Sequence, residues 1–160
     1  MKQKILYSLL LVISGLILFS GCIKNETCLS ANNLLITEVY AIETDTTIKA
    51  ASLDSLTLFI VGKEDSVLYD DVRNINAFDI PLSDLHEELK IVARINDGVD
   101  TIYLKYRPYS VFRSTECGVI NRYEIQEMSY TTNKIRALYI ENYNIDENEA
   151  VNVFLLVDAE

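Results

Sequence analysis

Histidine is almost absent from this 160-residue chain, and its scarcity excludes metal sites that need two or more histidine ligands. His86 is the single histidine, so a zinc hydrolase of the HExxH type would lack its second histidine ligand. The sequence also lacks the GxSxG element of serine hydrolases and the glycine-rich loop that binds phosphates. We therefore expect no catalytic residues, no metal and no cofactor, and we predict that the protein is not an enzyme.

Basic residues are scarce relative to acidic ones. The chain has 14 Lys and Arg against 24 Asp and Glu, and its formal net charge at pH 7 is −10. Because a negatively charged protein repels the phosphates of nucleic acids, we exclude DNA and RNA as partners. The acidic residues are spread along the chain and are not concentrated in one tail, so they indicate a charged, soluble surface.

Tryptophan is absent, whereas tyrosine occurs ten times. Aromatic rings can stack on sugars, so this number of tyrosines raises the alternative of a glycan-binding surface. However, tyrosines in β proteins mostly pack as half-buried strand residues, with only the hydroxyl near water. A cluster of exposed tyrosines on one face of the molecule would favour the glycan alternative.

Long hydrophobic runs are missing except near the start of the chain, where residues 5–20 read ILYSLLLVISGLILFS. This run of 16 residues is shorter than the ~20 apolar residues that span a bilayer. Two lysines precede the run, and the small residues Ser20 and Gly21 end it. A basic start, an apolar run and small residues together are typical of a secretory signal peptide. We predict that residues 1–21 are removed; an uncleaved membrane anchor is the alternative.

The end of this segment, LFSGC at residues 18–22, resembles the lipobox of bacterial lipoproteins, with Phe19 where leucine is usual. In proteins with this motif the cysteine sulfur receives a diacylglycerol, and the signal is cut off just before it. The resemblance implies that Cys22 is the lipid attachment site and the first residue of the mature chain. Each buried CH₂ of such a lipid contributes about 0.8 kcal/mol, so two or three acyl chains hold a protein firmly on a membrane.

Two cysteines remain once Cys22 carries the lipid, namely Cys28 and Cys117. Exported proteins reside where disulfides persist, so we predict a bridge between these two residues. The bridge would close a loop of about 90 residues, which stabilises the folded state by roughly 4–5 kcal/mol in the chain-entropy account. Two unpaired buried thiols are the alternative.

Helical periodicity is almost absent, and Ile, Val, Leu, Thr and Tyr recur in short runs between turn residues. Short strands of this composition, separated by turns, are typical of an all-β sandwich. We predict an antiparallel β-sandwich of the immunoglobulin-like type. We also predict a turn-rich link at 43–55 and one helical turn within 81–89. The expected strands cover residues 33–42, 55–62, 66–72, 76–81, 118–130, 135–143 and 150–158, with a hairpin at residues 87–108.

The hairpin supports the most detailed prediction. Its Asp-Gly pair at 97–98 is typical of a two-residue type I′ turn, in which both central residues have positive φ. That turn would place Asn96 opposite Val99 and Lys90 opposite Lys105. Because side chains alternate along a strand, it would also give the hairpin one apolar face. This face would consist of Leu89, Ile91, Ala93, Ile102, Leu104 and Tyr106.

The acidic stretches offer weaker candidate sites. NIDENEA at 144–150 supplies Asp146 and Asn148, but its spacing fails the EF-hand pattern, so a solvated turn is expected. Asp70 and Asp71 are adjacent on a predicted strand and should point to opposite faces. An enzyme that uses carboxylates would need two acidic side chains from different strands in one pocket, ~5–10 Å apart.

Two further segments, SLDSLTLFIVGKEDSVLYDD at 52–71 and STECGVINRYEI at 114–125, follow the lipobox in order. Together with the lipobox they resemble an uncharacterised family of small lipoproteins in the Bacteroidota. The resemblance implies an envelope lipoprotein with a small β domain, and it implies no activity. It also implies the outer membrane, since Ile23 is not the Asp that often retains lipoproteins in the inner membrane.

These features predict three regions: a signal peptide (1–21), a lipid-anchored tether (22–30) and a β-sandwich domain (31–160). We expect a non-catalytic binding or assembly module at the outer membrane, on its periplasmic or cell-surface face. Its partners would be the membrane, through the lipid on Cys22, and an unidentified envelope protein or glycan. A surface glycan-binding or adhesive lipoprotein is the alternative.

Overall fold

The computed structural model describes residues 34–44 and 47–159. The predicted signal peptide and tether lie outside these residues, as do Cys22 and Cys28. Cleavage of the signal peptide, the lipid on Cys22 and the disulfide of Cys28 therefore stay predictions. The described residues form strands, turns and loops and contain no helix. Accordingly, this part of the chain has no helix that is long and apolar enough to cross a membrane.

Eleven strands make up most of the described part of the chain, as its β-branched and aromatic composition predicts. In chain order they are β1 (Leu34–Thr44), β2 (Thr47–Ala50), β3 (Leu53–Ile60), β4 (Tyr69–Ile75), β5 (Ala77–Pro81), β6 (Glu88–Ile95), β7 (Gly98–Ser114), β8 (Gly118–Tyr130), β9 (Ile135–Ile140), β10 (Asn144–Ile145) and β11 (Val153–Asp158).

The strands form two sheets that pack face to face. In the first sheet, β1 pairs with β5 and β2 along one edge and with β11 along the other, and β9 pairs with the far edge of β11. The β1–β11 pair is parallel, and the other pairs are antiparallel. The second sheet has the order β10-β8-β7-β6-β3-β4 and is antiparallel throughout. The predicted antiparallel β-sandwich is confirmed, and its immunoglobulin-like type stays a prediction.

The core between the sheets is built by alternation along each strand. In β6, for example, Ile91 and Ala93 are buried, whereas Lys90 and Arg94 are exposed. Burial of this apolar surface is the main stabilising contribution to such a fold. The largest fully buried side chains are Tyr106, Tyr123, Phe78, Leu35, Leu53, Leu56, Leu58, Ile80, Ile91, Ile95, Leu104 and Ile125.

The β6–β7 hairpin has the predicted apolar face, but its register differs by two residues. Ile95 lies opposite Gly98 and Arg94 opposite Val99, so residues 96 and 97 form the turn instead of 97 and 98. Asn96 has a φ of 51°, and neither Asp97 nor Gly98 has a positive φ. The predicted type I′ turn at 97–98 is therefore wrong. A shift of two residues keeps every side chain on its face, which explains why the face prediction is right.

Side-chain interactions favour the observed register. The predicted register placed two lysines opposite each other. In the structure Lys90 lies opposite Tyr103, with its Nζ 5.5 Å from the ring centroid. Lys105 lies between Glu88 and Glu127, with an Nζ–carboxylate distance of 3.7 Å to each. The observed register thus replaces a like-charge pair with attractive contacts.

Several strand predictions are confirmed, and others are wrong. The predicted strand at 118–130 has the bounds of β8. The turn-rich link at 43–55 contains β2, and residues 144–150 contain β10. Both missed strands are short, and each exists because it pairs with a longer neighbour, β1 or β8. The helical turn predicted within 81–89 is wrong, because residues 82–87 cross between the sheets as a loop and the residues on either side belong to β5 and β6.

The β7–β8 hairpin is longer than the strands around it. Its last part, residues 109–114 and 118–122, lies beyond the point where β10 pairs with β8, and we call this part the arm. Residues 115–117 form the turn at its tip. The predicted hairpin partner of β6 ended at residue 108, whereas β7 continues through Pro108 to Ser114. The arm brings Cys117 to one extremity of the domain.

Candidate functional site

The structure describes one of the three predicted site residues. Cys117 lies in the turn of the arm, where its backbone N–H donates to the hydroxyl of Ser114 at 3.1 Å. Its predicted disulfide partner, Cys28, and the predicted lipid attachment site, Cys22, lie outside the described residues. The lipid and the disulfide therefore stay predictions.

The weaker candidates form no metal site among the described residues. His86 is exposed in the loop between β5 and β6. The side chain of Asp146 accepts hydrogen bonds from the backbone and amide nitrogens of Asn148, so residues 146–148 form the solvated turn expected from the sequence, whereas residues 144 and 145 belong to β10. Among the described residues, no group of three or more His, Cys, Asp or Glu side chains could hold a metal ion.

A small cavity at one end of the first sheet gathers acidic side chains from different elements. Its volume is about 170 Å³, below the roughly 300–1,000 Å³ of typical ligand pockets. Burial, and then the charge of Glu149, raise the pKa of the Asp79 carboxyl. Carboxylates from separate elements thus do share one cavity, as a carboxylate enzyme would require. The lining residues are Leu34, Ile36, Asp79, Asp146, Glu149, Ala150 and Asn152.

Asn152 fixes the wall of this cavity and is buried. Its side-chain oxygen accepts a hydrogen bond from the backbone N–H of Ile36 at 3.0 Å. Its amide nitrogen donates to the backbone carbonyls of Asn142 and Asn144, at 3.2 and 3.0 Å. One side chain therefore connects β1 to the loop around β10. These bonds hold the acidic cavity in shape but provide no group for chemistry.

The outer face of the first sheet carries three aromatic side chains in a row. Val39 and Leu155 point into the core, so Tyr40 on β1 and Phe154 on β11 point outward. Their rings meet edge to face, with centroids 5.0 Å apart. Tyr139 on β9 lies directly opposite Phe154 and is 56% exposed. We call Tyr40, Phe154 and Tyr139 the aromatic row.

Carboxylates border the aromatic row. The hydroxyl of Tyr40 donates to the carboxylate of Glu38 at 3.0 Å. This hydrogen bond is the largest cause of the raised pKa of Tyr40, and the charges of Glu38 and Glu141 also contribute. The surface therefore combines apolar ring faces with hydrogen-bond acceptors. This is the combination that a polar ring-shaped ligand such as a sugar can use.

Sequence reasoning missed the most completely bonded charged residue of the described core, Asp100. It is fully buried, and its carboxylate accepts four hydrogen bonds. Oδ1 accepts from the Thr131 hydroxyl at 2.6 Å and the Asn133 N–H at 2.8 Å; Oδ2 accepts from the N–H groups of Lys134 at 2.6 Å and Ile135 at 3.0 Å. Burial raises the pKa of the Asp100 carboxyl, but these bonds outweigh burial and hold the pKa below its ordinary value.

A signal for Asp100 was present in the sequence. Residues 100, 102, 104 and 106 share one face of β7, and the last three belong to the predicted apolar face. An aspartate at a core-facing position must be bonded, because an unpaired buried charge is strongly unfavourable. The TTNK turn after β8 supplies the donors, so the role of Asp100 is to hold this turn against β7.

The fold and these surfaces define a small all-β sandwich domain. The chain belongs to the family of unknown function DUF6452, whose family model matches residues 55–157. The matched segment runs from β3 into β11 and includes the arm, the acidic cavity residues of the loop before β11, and Asp100. No curated protein matches the chain, and no solved structure matches it.

Proposed function

We propose that the protein is a lipid-anchored lipoprotein of the bacterial outer membrane, whose β-sandwich is a non-catalytic binding or assembly module. The observation that carries this proposal is LFSGC at residues 18–22, placed behind a basic start and an uncharged run too short to span a bilayer. The order of the lipobox and the two segments that resemble Bacteroidota lipoproteins supports it.

The anchor can be tested with an alkyne analogue of palmitate in a bacterial host that processes lipoproteins. We expect the wild-type protein to take up the label, to fractionate with the outer membrane and to begin at Cys22 by mass spectrometry. Cys22→Ala should lose the label, whereas Cys28→Ala is the matched control and should keep it. A mature protein that retains residues 1–21 without lipid would contradict the proposal.

The predicted bridge between Cys28 and Cys117 belongs to the same proposal. It would attach the tip of the arm to the tether close to the lipid. Peptide mapping of the mature protein without reductant should recover one peptide pair joined through these cysteines. Cys117→Ser should release the pair and lower the free energy of unfolding by about 2–5 kcal/mol, the usual cost of losing a native disulfide. Separate alkylated peptides in the untreated protein would show that the bridge is absent.

A binding or assembly role predicts a defined partner in the envelope. Crosslinking in intact cells, followed by purification of the lipidated protein, should recover one stoichiometric envelope protein. The Cys22→Ala variant, which lacks the anchor, should recover much less of it. Recovery of no protein above the level of that control would count against an assembly role.

The aromatic row favours a second candidate, a glycan-binding lipoprotein. Tyr139 is exposed beside Phe154, and the carboxylate of Glu38 provides an acceptor for sugar hydroxyls. Titration with surface polysaccharide should then show that Tyr139→Ala weakens binding at least tenfold. Tyr103→Ala is the matched control, because Tyr103 is also exposed but lies on the other sheet. Equal affinities of the two variants and the wild type would eliminate this candidate.

A further inference from the structure

The three most exposed large apolar side chains of the described residues belong to one end of the sandwich. Leu85 is 84% exposed, Phe112 is 68% exposed and Val119 is 63% exposed. Single exposed apolar side chains are common on protein surfaces and need no explanation. Three of them at one end, contributed by two separate segments, form a surface that we call the end patch.

Phe112 and Val119 form a cross-strand pair on the arm. They lie directly opposite each other, and the pairs before them are Ser110 with Asn121 and Pro108 with Tyr123. Tyr123 points into the core, so by alternation Phe112 and Val119 continue the core-facing side of the sheet. Their exposure shows that the opposite sheet does not extend far enough to cover them. The arm therefore presents apolar side chains where the sandwich has ended.

The loop between β5 and β6 brings Leu85 to the same end. The carboxylate of Asp84 accepts a hydrogen bond from the side-chain amide of Asn121 at 3.1 Å. The side-chain oxygen of Asn121 in turn accepts one from the hydroxyl of Ser110 at 2.8 Å. These contacts hold the loop against the arm, one residue before Leu85. The end patch is thus fixed by hydrogen bonds between its two segments.

The start of β1 lies at this end of the molecule too. Leu34 pairs with Pro81, which is three residues before Asp84. The chain between Cys22 and Leu34 is residues 23–33, which can span at most about 40 Å when extended. Cys117 is only two residues from Val119, and a bridge to Cys28 would place the arm tip within about 27 Å of Cys22. A lipid on Cys22 would therefore be held on the side of the end patch.

We propose that the end patch rests on the surface of the phospholipid bilayer that holds the lipid of Cys22, so that the domain contacts the membrane at two points. This inference rests on the lipid anchor proposed above. The apolar area is too small to bind a membrane alone, but a tether raises the effective concentration of lipid at the patch to the millimolar range. Glu116 at the tip has a lowered pKa, through hydrogen bonds from Thr115 first, and stays charged. This charge favours zwitterionic over anionic headgroups.

The absence of tryptophan allows a direct test, because Phe112→Trp creates a single fluorescent reporter. The full chain is expressed and processed, its amino-terminal peptide is checked for lipid, and the protein is reconstituted in phosphatidylcholine vesicles with brominated acyl chains. We expect the bromines to quench the emission of the Phe112→Trp variant at least twofold more than that of the matched control, Val99→Trp. Val99 is also exposed, at the opposite end of β7.

A second variant tests the patch as a unit. Val119→Asp in the Phe112→Trp chain should reduce quenching to the level of the Val99→Trp control, with an unchanged far-ultraviolet circular dichroism spectrum. If lipid is present on Cys22 but quenching is equal in the two reporters, the inference is overturned and the anchor stands. A blue-shifted but unquenched reporter would also overturn it, because a protein surface then covers the patch. A peptide without lipid overturns the anchor and the inference together.

Discussion

The rings of Tyr106 and Tyr123 meet edge to face in the core, with centroids 5.7 Å apart and planes at 65°. Their hydroxyls differ in hydrogen bonding. The Tyr106 hydroxyl donates to the carbonyl of Ser83 at 3.0 Å and accepts from its N–H at 3.3 Å. The Tyr123 hydroxyl is buried and has no hydrogen-bond partner among the described residues. Burial is the largest cause of the raised pKa of both phenols.

This pair predicts opposite effects for the same substitution. Tyr106→Phe should lower the free energy of unfolding by about 1–2 kcal/mol, because it leaves the backbone groups of Ser83 without their partner. Tyr123→Phe should be neutral or should stabilise the protein by up to about 1 kcal/mol, because it removes a buried hydroxyl that has no bond to lose. Urea unfolding of both variants measures the difference. Equal destabilisation by the two substitutions would show that Tyr123 is bonded in solution.

The buried carboxylate of Asp100 predicts a large loss of stability on a small chemical change. Asp100→Asn keeps the shape of the side chain but turns one acceptor oxygen into a donor, which then faces N–H groups of the turn after β8. We expect a loss of about 2–4 kcal/mol at pH 7, since buried donors lose their acceptor. The pKa of Asp100 is lowered in the folded state, so the charged carboxylate stabilises the fold above the ordinary pKa of aspartate. The difference in stability between the wild type and Asp100→Asn should therefore disappear as the pH falls through the folded-state pKa of Asp100.

Asp97→Asn is the matched control for Asp100→Asn. Asp97 lies in the neighbouring turn and is exposed, and its carboxylate pairs with the Lys134 ammonium at the surface. An exposed ion pair contributes little, so we expect a change within about 1 kcal/mol. Thermal and urea unfolding of both variants would measure the two losses of stability. A loss for Asp97→Asn as large as that for Asp100→Asn would contradict a special role for the buried carboxylate.

Alternation along strands explains why much of the fold was predictable and why the register was not. The predicted apolar face of the β6–β7 hairpin is correct, since Ile91, Ile102 and Leu104 are all buried. Period-two alternation cannot distinguish two registers that differ by two residues. The choice depends on contacts outside this alternation, here the pairing of β6 with β3 and of β7 with β8 on either side of the hairpin. The exposed contacts of Lys105 with Glu88 and Glu127 add only a little to it. β2 was missed because its four residues are all exposed and carry no alternation.

The candidate surfaces were less predictable than the strands. The apolar character of Phe112 and Val119 is visible in the sequence, but their exposure depends on where the opposite sheet ends. The aromatic row combines Tyr40, Tyr139 and Phe154 from three strands, two of which are neighbours only because β1 and β11, the first and last strands of the described residues, pair in parallel. Local patterns contain no information about that pairing. Asp100, in contrast, stood at a core-facing position and could have been found.

Gly98 makes a steric prediction. A Cβ added there would lie 2.5 Å from Cγ of Lys134, and Gly98 does not have a positive φ, so only packing opposes a side chain. Gly98→Ala should lower the free energy of unfolding by about 1–2 kcal/mol through overpacking. In the Lys134→Ala background the same substitution should cost less than about 0.5 kcal/mol, since the clashing carbon is gone. An unchanged cost in that background would mean that backbone conformation is responsible.

Asp79 predicts a dependence of stability on pH that is opposite to that of Asp100. Its pKa is raised above the ordinary 3.8 by burial first and by Glu149 second. Below the ordinary pKa the carboxyl is protonated in both folded and unfolded chains and has no net effect. As the pH rises through the folded-state pKa, the folded state must accept a disfavoured charge, so stability is lost. Asp79→Asn should therefore raise the melting temperature by a few degrees at pH 7 and leave it unchanged at pH 3.

Glu149→Gln separates the two causes of this effect. Removing the charge of Glu149 should reduce the gain from Asp79→Asn at pH 7 but should not abolish it, because burial is the larger cause of the raised pKa. The difference between the double variant and the single ones, measured by thermal unfolding at several pH values, gives the interaction between the two carboxylates. If Asp79→Asn stabilised the protein equally at pH 3 and pH 7, titration of Asp79 would not be the cause.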